Sequence, residues 1–171
     1  MNLSLFEEES ISAIRVIPVI DYSVRELCVN PYHLHPKGCP NVGKCDRCPP
    51  AAPLFDQVFD LTQPFYAVVN EFDLAGHVQR LKATPKKDGS TRSDAEANCV
   101  LYWQPKARKQ LEAKIVNLCC GILSDYSAER CPEALGVNIT ETLANAGIVL
   151  EWPPRKVARQ VALLGIRNGY L

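Results

Sequence analysis

Nowhere in its 171 residues does the chain hold the roughly 18 consecutive apolar residues that a membrane-spanning helix needs. It carries no excess of charge either. Lys and Arg total 19 and Asp and Glu total 19, which excludes a polycation that coats nucleic acid regardless of sequence. It contains no internal repeat and no low-complexity tract. Its opening, Met1-Asn2-Leu3-Ser4-Leu5-Phe6 followed by Glu7-Glu8-Glu9, lacks the basic segment and apolar segment of a secretory leader. These absences together predict a cytoplasmic protein with no membrane association. The Asn138-Ile139-Thr140 sequon is then a chance match, because glycosylation requires secretion.

Against that background eight cysteines are many. In a reducing cytoplasm such cysteines point to metal binding or catalysis ahead of disulfides. With 47% hydrophobic and 22% charged residues, the rest of the chain has the composition of one globular domain.

The strongest signal is Cys28-x10-Cys39-x5-Cys45-x2-Cys48. Residues 28–53 hold these four cysteines with His33, His35, six prolines and two glycines, a loop that is ordered only if it binds something. Four thiolates within 21 residues can surround one ion or cluster. Cys39-Pro40 and Cys48-Pro49-Pro50 put proline directly after a candidate ligand, as ferredoxin-type cluster segments do. Zinc also accepts four thiolates, or a mixture with His33 and His35. The usual zinc layout is two close pairs, and only Cys45-x2-Cys48 is close here. The two histidines can serve as ligands, as donors to a ligating sulfur, or as an acid/base pair beside the centre.

These residues resemble a known signature. Cys28, Cys39-Pro40-Asn41-Val42-Gly43-Lys44 and Cys48-Pro49-Pro50 are similar to the opening motif of the family called domain of unknown function 2284, described as predicted metal-binding proteins. Cys131-Pro132-Glu133-Ala134, Gly136-Val137-Asn138-Ile139 and Asn145-Ala146-Gly147-Ile148 are similar to its closing motif. The resemblance covers about a third of the chain. It implies a cysteine-bound metal centre and brings no established reaction. Two departures matter: the family pattern requires no cysteine at position 45, and it commonly carries more cysteines before the closing motif than Cys119-Cys120. A four-iron–four-sulfur cluster on Cys28, Cys39 and Cys48 alone leaves one iron open to substrate. Either Cys45 or the distant Cys131 can close it.

Between Arg80 and Lys114 there are nine Lys/Arg and four Asp/Glu. Tyr102-Trp103 lies among them, ahead of Lys106, Arg108 and Lys109. Basic groups neutralise phosphates and aromatics stack on bases, so residues 80–114 are a candidate nucleotide or nucleic-acid surface; a solvated helical face with core aromatics is the plainer reading. His77 flanks an apolar stripe and reads as a core-edge histidine. Cys119 reads as buried filler, while Cys120 and Cys99 have no assigned partner.

Periodicity predicts a strand over 11–20, a short helix over 54–61 and a strand over 65–69. A helix capped by Asp73 follows, then one started by the Ser93/Glu96 capping box. Pro105 should end or kink that helix, and the longest helix should run over 105–123. A short helix over 140–145 and closing strands over 148–152 and 157–166 complete the pattern. The expected architecture is α/β or α+β, one domain with a small mixed sheet packed with helices, plus a cysteine-rich loop. The leading functional expectation is a 4Fe–4S protein, in its enzymatic form binding a small anionic or nucleotide-like substrate steered by Lys106, Arg108 and Lys109. The alternative is a zinc-stapled nucleic-acid-binding module.

Overall fold

The computed structural model describes residues 13–31 and 36–169. Strands β1 (Ala13–Val16), β2 (Phe65–Asp73), β3 (Ser127–Glu129) and β4 (Val157–Gly165) form one sheet in the order β1-β2-β4-β3. Every neighbouring pair is antiparallel, which places the domain on the α+β side of the expectation. Tyr66 lies opposite Leu164 and Asp73 opposite Val157, so β2 and β4 form a long central ladder.

Both faces of that ladder are covered, so its central strands do not alternate between polar and apolar residues. Leu163 and Leu164 point to opposite faces, and both are fully buried. One face packs Phe65, Ala67 and Leu163 against Phe55, Phe59, Leu135 and Leu143. These come from helix α1 (Phe55–Val58), the residues after it, a 3-10 turn over Pro132–Leu135, and helix α5 (Ile139–Asn145). Three phenylalanine rings meet there, with centroids 4.9 to 6.1 Å apart.

The other face takes the long helix. Asp73 ends β2 and caps α2 (Leu74–Ala83), its carboxylate accepting from the Gly76 N–H at 2.8 Å. Ser93 and Glu96 form the reciprocal capping box of the one-turn helix α3 (Asp94–Ala97). Helix α4 (Val100–Cys119) then buries Trp103, Ala107, Leu111, Ile115 and Leu118 along one stripe. The buried Asn70 of β2 donates to the Ala107 carbonyl at 3.1 Å, so the polar group under α4 is satisfied.

Pro105 neither ends nor starts a helix; it lies inside α4. The hydrogen bond it removes belongs to the carbonyl of Leu101, an exposed residue whose side chain is 77% accessible, where water can replace the missing donor. The expected strand over 148–152 is not formed; Ile148 and Leu150 pack on the core as irregular chain. The expected end at 123 falls back to Cys119, with the Leu123 N–H closing onto the Leu118 carbonyl at 3.0 Å.

One further contact positions the cysteine loop. Residues 19–21 run beside 136–138, with Asp21 N–H donating to Gly136 O at 2.8 Å and Asn138 N–H to Val19 O at 2.9 Å. This clamp sets the 3-10 turn Tyr22–Cys28 against the turn Pro132–Leu135. The approach is so close that a Cβ on Gly136 would collide with the Tyr22 ring.

Candidate metal centre

The cysteine loop hangs between two feet fixed to the core. Its first foot is Cys28, the last residue of the Tyr22–Cys28 turn. The second is Ala52, buried against the α1 core. Arg25 ties the feet together, donating to the Ala52 carbonyl at 2.7 Å and the Pro50 carbonyl at 3.3 Å. Within the loop, the Cys39 N–H donates to the Cys28 carbonyl at 2.7 Å, and the Cys48 N–H to the Cys45 carbonyl at 2.9 Å.

All four loop cysteines are free thiols; Cys28, Cys39 and Cys48 are half-buried and Cys45 is exposed. The Cys45 and Cys48 sulfurs lie 3.3 Å apart, and Cys48 Sγ also bonds the Asn41 carbonyl oxygen at 3.0 Å. The contact with the Cys48 sulfur holds Cys45 below the ordinary thiol range, with the Arg47 backbone N–H helping. The same contact pushes Cys48 up. Burial pushes Cys28 up first, and the charges of Cys39, Cys48 and Glu133 add to it.

That last neighbour comes from the far end of the chain. Glu133 lies in the turn packed on Tyr22–Cys28. Its residue surface is open to solvent, yet burial raises its carboxyl above the usual carboxylate range. Cys131, at the start of the same turn, is raised by burial and by Glu129 and Glu133, and lowered by Arg108 and Arg47. Arg47 belongs to the cysteine loop, so the fold gathers Cys131 towards the loop from a distance of more than 80 positions along the chain.

The donor set fits a thiophilic centre: soft thiols, no competing disulfide, and a backbone fixed at both feet. Among the described residues, no group of three or more Cys, His, Asp or Glu side chains stands close enough together to hold a metal ion. His33 and His35 lie outside the described residues. Two surface hollows, of about 330 and 250 Å3, open beside Arg15–Ile17 and contain no cysteine.

The three basic candidates on α4 do not share a face. Lys106, Arg108 and Lys109 are all exposed, but a helix turns Arg108 about 200° from Lys106. Lys106 lies near His77, and of the three Arg108 is the one whose charge reaches Cys131. Elsewhere in 80–114 five cations are engaged: Arg80 with Asp73, Lys82 with Asp94 and Lys86 with Glu96, Lys114 with the Val69 carbonyl, and Arg92 with the Leu81 and Thr84 carbonyls. Trp103 is a core residue, stacked on Phe72 at 6.0 Å with its N–H on the Asn98 carbonyl, and is not open to stack on a base. His77 packs on Phe72 at 5.4 Å, and Cys119 packs beside Leu118 and Leu123.

Sequence reasoning missed Glu133 and Arg25. The first stood in view within Cys131-Pro132-Glu133, while nothing in the sequence ties Arg25 to residues 50–52. A comparison with protein families, curated proteins and solved structures finds no match to this chain. Among the described residues no helix is long and apolar enough to cross a membrane.

Proposed function

We propose that this chain carries a cysteine-held metal centre of the 4Fe–4S type in a reducing, cytoplasmic setting. Cys28, Cys39 and Cys48 are the core ligands and Cys45 completes the set. The observation that supports the reading is four free thiols on one anchored loop, with the Cys45 and Cys48 sulfurs in contact and the Cys39 N–H bonded to the Cys28 carbonyl. The resemblance to the predicted metal-binding family bears on Cys28, Cys39 and Cys48 and does not extend to Cys45. Such a cluster supplies electron transfer, or Lewis acidity where an iron is left open. In an enzymatic form, Arg108 is the cation best positioned to draw a small anionic or nucleotide-like substrate towards the Cys131 side of the loop.

A second reading, a zinc staple, is favoured by one observation. Two thiolates about 2.3 Å from one tetrahedral ion stand about 3.8 Å apart, and the Cys45 and Cys48 sulfurs are 3.3 Å apart. Anaerobic purification separates the two. A brown protein absorbing near about 400 nm with stoichiometric iron and sulfide supports the cluster; a colourless protein with stoichiometric zinc supports the staple. Cys39→Ala and Cys48→Ala should each lose most of the metal. Unchanged metal content in both variants would overturn either reading.

A further inference from the structure

Two thiols on one short turn can react with each other whether or not they hold a metal. The Cys45 and Cys48 sulfurs are 3.3 Å apart, across a turn already closed by the Cys48 N–H to Cys45 carbonyl bond. A disulfide needs about 2.05 Å between sulfurs, so about 1.3 Å of relative motion forms the bond. The two are also unequal. Cys45 is exposed and open to attack by or on a small molecule, whereas Cys48 is half-buried and held on the Asn41 carbonyl. Of the eight cysteines, these two form the sulfur–sulfur contact found among the described residues.

We propose that Cys45 and Cys48 are a reversible dithiol–disulfide couple, oxidised by small-molecule disulfides, whose closure shuts the metal centre. The disulfide half stands on the sulfur geometry alone; the shutting half rests on the metal reading above. In the first step the Cys45 sulfur, its proton given up to solvent, attacks the disulfide of the oxidant. A mixed disulfide forms and one small thiolate leaves. In the second step the Cys48 sulfur, likewise deprotonated, attacks Cys45 Sγ and expels the other small thiolate. The chain loses two electrons and two protons, and the oxidant becomes two thiols. Both sulfurs are then committed, and a four-thiol centre has lost two of its ligands.

The test uses the whole 171-residue chain, reduced and held in chelator, then equilibrated across graded ratios of oxidised to reduced glutathione. Remaining thiols are alkylated and the chain is cut with trypsin. Cleavage after Lys44 and Arg47 puts Cys45 and Cys48 on separate peptides, so their bond reports itself as a linked pair. That pair should appear before any other, and reductant should remove it. In Cys48→Ser, glutathione should instead accumulate on Cys45. A different cysteine pair forming first, or Cys45 staying alkylatable while others oxidise, overturns the couple. In a second arm, zinc, and ferrous iron with sulfide, are offered to reduced and oxidised chains. The oxidised chain should take up at least about tenfold less metal. Equal uptake overturns the shutting half. A reduced chain that takes up neither metal overturns the metal reading and the shutting half with it, and leaves the peptide result to decide the couple by itself.

Discussion

Gly38 is the residue on which the loop's path turns. Its φ is +76°, and a Cβ there would meet the Cys28 carbonyl oxygen at 2.7 Å and the Val29 carbonyl carbon at 2.8 Å. The same approach lets the Cys39 N–H reach the Cys28 carbonyl, so the glycine brings two candidate ligands together. Gly43 provides an internal control: its φ is +69°, yet nothing lies within 4 Å of a Cβ there. Both alanine variants bear the left-handed backbone cost of about 1–2 kcal/mol; only Gly38→Ala adds the collision. Metal competition titrations should therefore show roughly thirtyfold weakening for Gly43→Ala at most, and clearly more for Gly38→Ala. Equal losses at the two positions would mean that the close approach to Cys28 contributes nothing.

At the scale of elements, legibility followed the kind of signal. Caps are local chemistry, so Asp73, Ser93 and Glu96 could be read directly and the structure uses all three. The apolar stripe of α4 was legible from Leu111 and Ile115, but its first turn was hidden by Pro105, because only an exposed carbonyl makes that proline tolerable. Ile148–Trp152 has strand composition without a partner strand, and composition cannot supply a ladder. The reverse error was β3, three residues too short to show a period. It exists through pairing with β4 and through a fork from Arg130 to Glu112 of α4, at 2.7 and 2.6 Å. In the candidate site, the four loop cysteines could be picked out along the chain, whereas the approach of the Glu133 turn to Tyr22–Cys28 depends on the clamp between 19–21 and 136–138.

The Arg130–Glu112 fork makes a pH prediction. Its hydrogen bonds hold the Glu112 carboxyl below the ordinary range. A depressed folded pKa adds stability that is present above the unfolded value, near 4.5, and is lost as pH falls through the folded value. The side chains are 42% and 46% exposed, so solvent screening limits the pair to under about 1 kcal/mol. Glu112→Gln should lower Tm by about 1–3 °C at pH 7, and wild type and variant should converge as the pH is taken below that window. A gap that stays constant into strong acid would show that shape, rather than charge, carries the contact.

At the scale of the whole molecule, the cysteine loop and the hydrophobic core are separate structures joined at two points. The three core clusters are built mainly from the sheet, α1, α2, α4, α5 and the 132–135 turn; of the cysteine loop they include only Ala52. Residues 36–51 are exposed or half-buried apart from Gly38, so apolar burial does little to order them, and ordering a chain costs about 1–2 kcal/mol per residue in backbone entropy. In the proposed metal reading, thiol–metal bonds would supply that order, while β2 and β4, packed in the core, need none of it. Removing the metal should therefore leave the sheet standing. Hydrogen exchange on the full chain, with and without chelator, is expected to show slow β2 and β4 amides in both states, since these open only with global unfolding. Loop amides, above all Cys39 and Cys48, should exchange fast without metal and slowly with it. The loaded chain should also melt higher, by what binding alone supplies: about 2.7 kcal/mol when free metal stands 100-fold above Kd. Collapse of β2 and β4 protection on chelation would refute this division, and would mean that the two feet at Cys28 and Ala52 transmit the loop's order into the sheet.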